Sequence, residues 1–359
     1  MGGAHRRGAS LATLRAEPVP SGGRDRWFDL LRAVALVRVV MYHTFAWPWL
    51  GLAFPSMGVM FALAGSLMAR SLERPAPQVI RGRLRRLLIP LWAFGLILGV
   101  AMLLHGWVPG ADALYWVLPA GDPPGDAWGE QAWAVLWYLR TYLWFVLLSP
   151  VLLRFFRSAP LLVPALSLVP VLVLTALGGG PDGRLGSALS DVSVFLFCWL
   201  LGFAHRDGVL DRMRPGQVVA VAPVLLAAGG WWALNHRVDG SYDLDDIPLA
   251  QALWSAGFVL LLLRFRPACA WLGRRPVAAR VVKVFNARAV TVYLWHEVAL
   301  MASVPLIDLM WNVPAFERRL PLDSAWFQFG VVWVLVGAAV VLLGWVEDVA
   351  AKRKPRLLP

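Results

Sequence analysis

Cysteine is scarce. Two residues in a chain of 359, Cys198 in an apolar run and Cys269 in a basic stretch, form neither a disulfide framework nor a metal-ligand spacing. Familiar nucleotide and hydrolase motifs are missing as well. There is no G-x-x-x-x-G-K-[ST] phosphate loop, no G-x-S-x-G nucleophile elbow and no glycine fingerprint after a strand. The four acids of Asp239–Asp246 do not follow EF-hand spacing and read as a solvated loop. No internal repeat is visible, which argues against a transporter built from two similar halves. No soluble catalytic domain is expected at either end.

What is abundant is apolar surface: 59% of residues are hydrophobic and 20 are Trp. Ten runs reach the length of a membrane crossing. They are roughly Leu30–Trp47, Leu50–Ala69, Leu87–Leu104, Ala132–Phe155, Leu161–Leu177, Ala188–Ala204, Val218–Leu234, Ile247–Leu263, Ala289–Leu306 and Ala325–Val346. The expected fold is therefore all-α: a polytopic integral membrane bundle of about ten helices, the first two joined as a tight hairpin at Pro48 and Pro55. Residues 30–346 form the membrane domain. Residues 1–29 read as a basic, disordered tail rather than a removed signal peptide, and residues 347–359 as a second basic tail.

The net charge of +12 is less telling than its placement. Basic residues sit in short segments between apolar runs, which excludes nucleic acid as the partner. Segments on one side, tails and adjoining span ends included, carry 27 of the 34 Lys and Arg. The opposite loops carry only Arg184, Arg237, Arg318 and Arg319, beside acids such as Asp112, Asp122, Asp126 and Glu130. The positive-inside rule then puts both termini in the cytoplasm, which requires an even number of crossings. Two inward stretches, 70–86 and 264–288, are long enough for short interfacial helices against anionic lipid.

Charges inside the spans mark candidate chemistry, because a charged side chain in mid-membrane costs about 2.5–3.5 kcal/mol on insertion scales. Arg32 and His43 lie eleven residues apart in the first span. On a helix they share a face to within about 20° and are separated by about 16 Å along the axis. His43 is the candidate general base, and Arg32, charged under all ordinary conditions, an anion fork. The plain alternatives are a histidine satisfied by a neighbouring helix and an arginine paired with Asp29. Arg38 lies about 120° from that face and is left out of the site. The basic motif Arg81-Gly-Arg-Leu-Arg-Arg86 reads either as a headgroup anchor or as a phosphate clamp in which Arg83 and Arg86 share a face, with Arg85 beside them. Within Trp137-Tyr138-Leu139-Arg140, Arg140 either snorkels outward or lines a cavity with Tyr138. His296 and Glu297 sit near the middle of the ninth span. A zinc reading fails because no second histidine stands four residues on, and as a dyad they are weak because adjacent helical residues diverge by about 100°. No metal is expected.

Taken in order, these landmarks resemble the membrane acyltransferase-3 family, whose bacterial members acylate carbohydrates and other hydroxyl acceptors. The resemblance rests on Arg32 and His43 with ten residues between them; on MGVMFALAGSLMARSL, residues 57–72; and on Arg83-Leu-Arg-Arg86 before Leu88-Ile-Pro90. LWYLRTYLWFVLLSP, residues 136–150, and Thr291-Val-Tyr-Leu-Trp-His296 complete it. One departure is Ala64-Gly65-Ser66 where many members have Ser-Gly-Phe. The resemblance implies a multi-pass enzyme of the bacterial inner membrane with an Arg–His pair needed for activity. Its basic motif would serve an acyl-CoA donor, most commonly acetyl-CoA, and its acceptor would be a carbohydrate or natural-product hydroxyl. A proton-coupled transporter is the alternative class.

Overall fold

The computed structural model describes residues 25–357; of the tail expected over residues 1–29, residues 1–24 lie outside them, and 26–29 are helical rather than disordered. Among the described residues there are helices and no named strand. The first half comprises α1 (Arg26–Phe45), α2 (Trp49–Ala53), α3 (Ser56–Ser71), α4 (Ala76–Leu104), α5 (Ala127–Trp133), α6 (Leu136–Ser158), α7 (Leu162–Leu166) and α8 (Val169–Ala176). The second comprises α9 (Gly183–Arg206), α10 (Val209–Arg212), α11 (Pro215–Asn235), α12 (Pro248–Arg264), α13 (Ala270–Arg274), α14 (Pro276–Ala287), α15 (Ala289–Trp311), α16 (Pro314–Arg319), α17 (Ala325–Leu343) and α18 (Trp345–Ala350).

Seven of these helical stretches among the described residues are long and apolar enough to cross a membrane: Trp49–Ser71, α4, α6, α9, α11, α15 and α17. The other three expected spans are of a different kind. Leu162–Ala176 and α12 are shorter apolar helices, and α1 carries Arg26, Asp29, Arg32 and Arg38. Helix α1 also starts four residues before the expected span, because the Asp25 carboxylate accepts from the free Trp27 and Phe28 amides at its N-terminus.

The stretch 70–86 departs from expectation. No separate interfacial helix forms there. Pro75 precedes α4 and Pro77 sits in its first turn, where proline is tolerated. The helix then runs on through Pro90 for 29 residues, about 43 Å at 1.5 Å per residue. That exceeds a hydrocarbon core of about 30 Å, so the basic motif is the projecting first third of a spanning helix. The stretch 264–288 does form short helices, α13 and α14.

Close packing fixes the centre. A Cβ on Gly65 would lie 2.3 Å from the Trp199 carbonyl oxygen, and one on Gly202 would lie 2.2 Å from that of Ala62. Helices α3 and α9 therefore touch backbone to backbone, the small-residue contact that drives helix association in lipid. Trp199, fully buried beside this crossing, donates Nε1–H to Ser149 Oγ on α6 at 3.0 Å. Helix α1 packs against α3, α14, α15 and α17, so both ends of its charged face meet protein.

Candidate functional site

Near its start, α1 presents Arg32 to α14. One guanidinium N–H donates to Asn286 Oδ1 at 2.6 Å, and the Asn286 amide donates in turn to the carbonyls of Asp29 and Val282. Asp29 lies 3.9 Å from Arg32. The orientation of the arginine is thus set by an amide 254 residues away.

Arg32 lines a cavity of about 300 Å³ that also receives Arg83, Arg86, Tyr138, Tyr142 and Tyr293. Arg83 donates to the Tyr142 hydroxyl at 3.1 Å, to Ser71 Oγ at 3.0 Å and to the Leu67 carbonyl at 3.1 Å, which points it inward from α4. Arg86, one turn further along, is exposed and makes no hydrogen bond among the described residues. Glu347, Asp348 and Arg353 complete the wall from the C-terminal side. Arg85 does not join them. It lies across α4 with Arg81, Leu84, Leu88 and Trp92, because residues 83 and 86 share a face and 85 falls about 200° from 83.

Tyr138 and Tyr293 pack with ring centroids 5.0 Å apart at the inner end of the cavity. One helical turn beyond Tyr293, His296 is buried, and its ring lies 4.9 Å from that of His43. His296 Nδ1 faces the Tyr293 carbonyl at 2.5 Å and must carry the proton there. Its Nε2 is then a lone-pair nitrogen, buried and without a partner among the described residues. His43 Nδ1 lies 3.0 Å from Glu297 Oε2, and Gln131 is near the same carboxylate. Within one helix His296 and Glu297 diverge; both nevertheless meet His43, because α1 crosses α15 between them. Spacing along the chain does not show this. The three residues place one ligand atom each within 4.8 Å of the others, a two-imidazole, one-carboxylate donor set of the sort that binds zinc.

Beyond His43, at the other end of α1, Phe45, Trp47, Trp49 and Trp326 form a ladder of rings with neighbouring centroids 4.3–5.9 Å apart. Trp49 and Trp326 are exposed. Arg38 is held apart from all of this. Its Nε donates to the Leu50 carbonyl at 3.3 Å, its guanidinium lies over the Tyr42 ring, and Asp245 is 4.0 Å away. Arg140 does not reach the Arg32 cavity: it is buried between Asp122 and Asp191, a cross-brace from an interhelical loop to α9 that lines a separate, smaller pocket with Tyr115 and Trp116.

One α1 face thus joins a cationic cavity to a histidine–carboxylate cluster. The family described as Acyltransferase domain (Acyl_transf_3) matches residues 25–346. The chain belongs to that family. No curated relative and no solved structure matches it. As an acyltransferase with seven helices long and apolar enough to cross a bilayer, it is a multi-pass membrane protein. Asn286, Glu347 and Arg353 lacked a readable signal, and Tyr142 and Tyr293 stood within quoted motifs without being assigned a role. Only Asn286, the one amide in a basic, apolar stretch, stands out in retrospect.

Proposed function

We propose that the protein is an O-acyltransferase that takes an acyl group, commonly acetyl, from acyl-CoA on the cytoplasmic side and delivers it to a hydroxyl of a carbohydrate or related acceptor at the outer face of a bacterial inner membrane. The observation that carries this reading is the run of ring contacts from Tyr293, which lines the arginine-rich cavity, through His296 to His43. The phosphates of the donor would lie against Arg83 and Arg86, and its thioester arm would run past Arg32 and the tyrosine pair toward His43. An acceptor ring would stack on the Trp47–Trp49–Trp326 ladder, with its hydroxyl presented to His43.

His43 Nδ1 faces Glu297, which leaves Nε2 to take the hydroxyl proton as the acceptor oxygen bonds the thioester carbonyl carbon. The carbon–sulfur bond then breaks, and the proton passes to the departing thiolate to give free coenzyme A. Glu297 holds the ring and stabilises the imidazolium that forms. General-base assistance of this kind is worth about 10²–10⁴ in rate.

The test is turnover of acetyl-CoA, followed by thiol release, together with equilibrium binding of coenzyme A to the protein in lipid nanodiscs. His43→Ala should lose roughly 10²-fold or more of turnover and keep binding. Glu297→Gln should lower kcat with little change in KM. Arg83→Ala with Arg86→Ala should lose binding. An active, normally expressed His43→Ala protein would remove histidine as the base, and a wild-type protein that binds no acyl-CoA would remove the donor.

A further inference from the structure

We infer that Arg353 is a third phosphate-binding arginine of the donor site, so that residues 345–356 are a wall of that site and not a loose basic tail. This rests on the reading of the cavity as an acyl-CoA site.

The segment is built in. Asp348 Oδ2 accepts from Arg288 Nη2 at 2.7 Å and from the Arg356 amide at 3.1 Å. The same Arg288 nitrogen donates to the Arg356 carbonyl at 2.6 Å. Arg288 is fully buried, and Gly344 makes room for it: a Cβ there would lie 2.8 Å from the Arg288 side chain. The chain turns at Lys352, which takes a left-handed φ of 56°, and the Arg353 amide then donates to the Asp348 carbonyl at 2.7 Å. A non-glycine residue in that region needs surrounding structure to hold it, and here the Arg288–Asp348 clamp supplies it.

The turn has a consequence for charge. Lys352, Arg353 and Lys354 are all exposed, and of the three only Arg353 lines the cavity. Arg86 lies in the field of both Arg83 and Arg353. The nearby carboxylate of Asp348 is engaged by Arg288 and also attracts Arg353 across a longer distance, but the Arg353 guanidinium makes no direct hydrogen bond or ion pair among the described residues. Like charges gathered at one mouth repel unless a counter-anion joins them. A ligand with several phosphates, as in coenzyme A, answers three guanidiniums better than a single carboxylate does.

The experiment is coenzyme A binding by the full chain in nanodiscs of neutral phosphatidylcholine, compared across wild type, Arg353→Ala, Arg353→Lys and Lys354→Ala. Arg353→Ala should weaken binding about tenfold or more without lowering the melting temperature. Arg353→Lys should recover part of the loss, and Lys354→Ala should stay within about twofold of wild type. Equal losses in Arg353→Ala and Lys354→Ala would reduce the effect to net charge and overturn the assignment. So would wild-type affinity in Arg353→Ala when Arg83→Ala is weakened, a result that would leave the donor reading standing. A second disc containing anionic phosphatidylglycerol separates ligand from lipid: if the Arg353 effect vanishes there, the mouth is a headgroup site and the proposal fails. No binding by wild type in either disc would remove the donor reading and Arg353 with it.

Discussion

Glu347 shows how one side chain can tune the donor cavity. It projects from α18, and its Oε1 accepts from the Thr291 amide at 2.7 Å and the Thr291 hydroxyl at 2.5 Å. It thereby caps the first turn of α15, whose amides lack intrahelical partners. Burial pushes its pKa up from 4.5 to about 7, against the opposing pull of Thr291 and Arg288. It faces Arg32, Arg83, Arg86 and Arg353 across the cavity, with Asp348 beside it. Below pH 7 it is largely neutral and leaves the cationic wall unopposed; above pH 7 its negative charge repels a polyphosphate. Coenzyme A affinity of the wild type should therefore fall about three- to tenfold more between pH 6 and pH 8 than that of Glu347→Gln. Glutamine keeps the capping acceptor and loses only the titration. Ionisation of the ligand's own phosphates is common to both proteins and cancels in the ratio; parallel profiles would show that Glu347 does not face the bound anion. Legibility divides at the same scale. Arg32 with His43, and Arg83 with Arg86, could be read from the sequence because spacing on one helix fixes a shared face. Glu297 could be singled out but not its partner on α1, and Asn286 and Glu347 could not be read at all, since each acts on a helix other than its own and nothing local encodes which helix that is.

At the scale of elements, the crossing of α3 and α9 holds the bundle's centre without a hydrophobic drive between helices, since lipid is as apolar as leucine. Its stability comes from contact at backbone distance, which Gly65 and Gly202 permit. Gly202→Ala places a methyl against the Ala62 carbonyl and the Ser66 amide, 2.2 and 2.5 Å from the ideal Cβ position. Neither atom can rotate away. The substitution should cost about 1–3 kcal/mol or more, visible as a lowered midpoint in thermal unfolding followed by tryptophan fluorescence in detergent. Gly99→Ala, on α4 with nothing within 4 Å of its would-be Cβ, should leave the midpoint unchanged or raise it through the better helix propensity of alanine. Equal midpoints for Gly202→Ala and wild type would mean that the helices are not in backbone contact. A sequence displays small residues on α3 but not the helix they meet. The misreading of residues 70–86 has a related cause. Four arginines among six residues look like a loop in hydropathy, although no residue between Gln78 and Ile89 breaks a helix other than Gly82, which a long helix tolerates at a cost of about 1 kcal/mol.

For the whole molecule, the proposed reaction needs the cationic cavity and the histidine cluster to open toward opposite sides of a membrane, and that depends on how many helices cross. Both termini on the side that the charge asymmetry favours would mean an even number. Seven stretches satisfy length and composition alone, so the count is decided by α1, by Leu162–Ala176 and by α12. Helix α12 is the informative case: its 17 residues extend about 25 Å, short of a core of about 30 Å but at the lower limit of known spans. Arg237 precedes it and Lys354 follows α17; both are exposed. If α12 crosses, three helices (α12, α15 and α17) separate these positions and they lie on opposite sides. If α12 does not cross, two separate them and they share a side. With Cys198 and Cys269 changed to serine, Arg237→Cys should react with a membrane-impermeant thiol reagent in intact cells. Lys354→Cys should react only after permeabilisation. Labelling of both in intact cells, or of neither, would remove the crossing by α12 and with it the ten-helix count. Opposite labelling in the expected sense would leave Arg353 and the cavity mouth facing acyl-CoA in the cytoplasm, with the tryptophan ladder beyond His43 facing out.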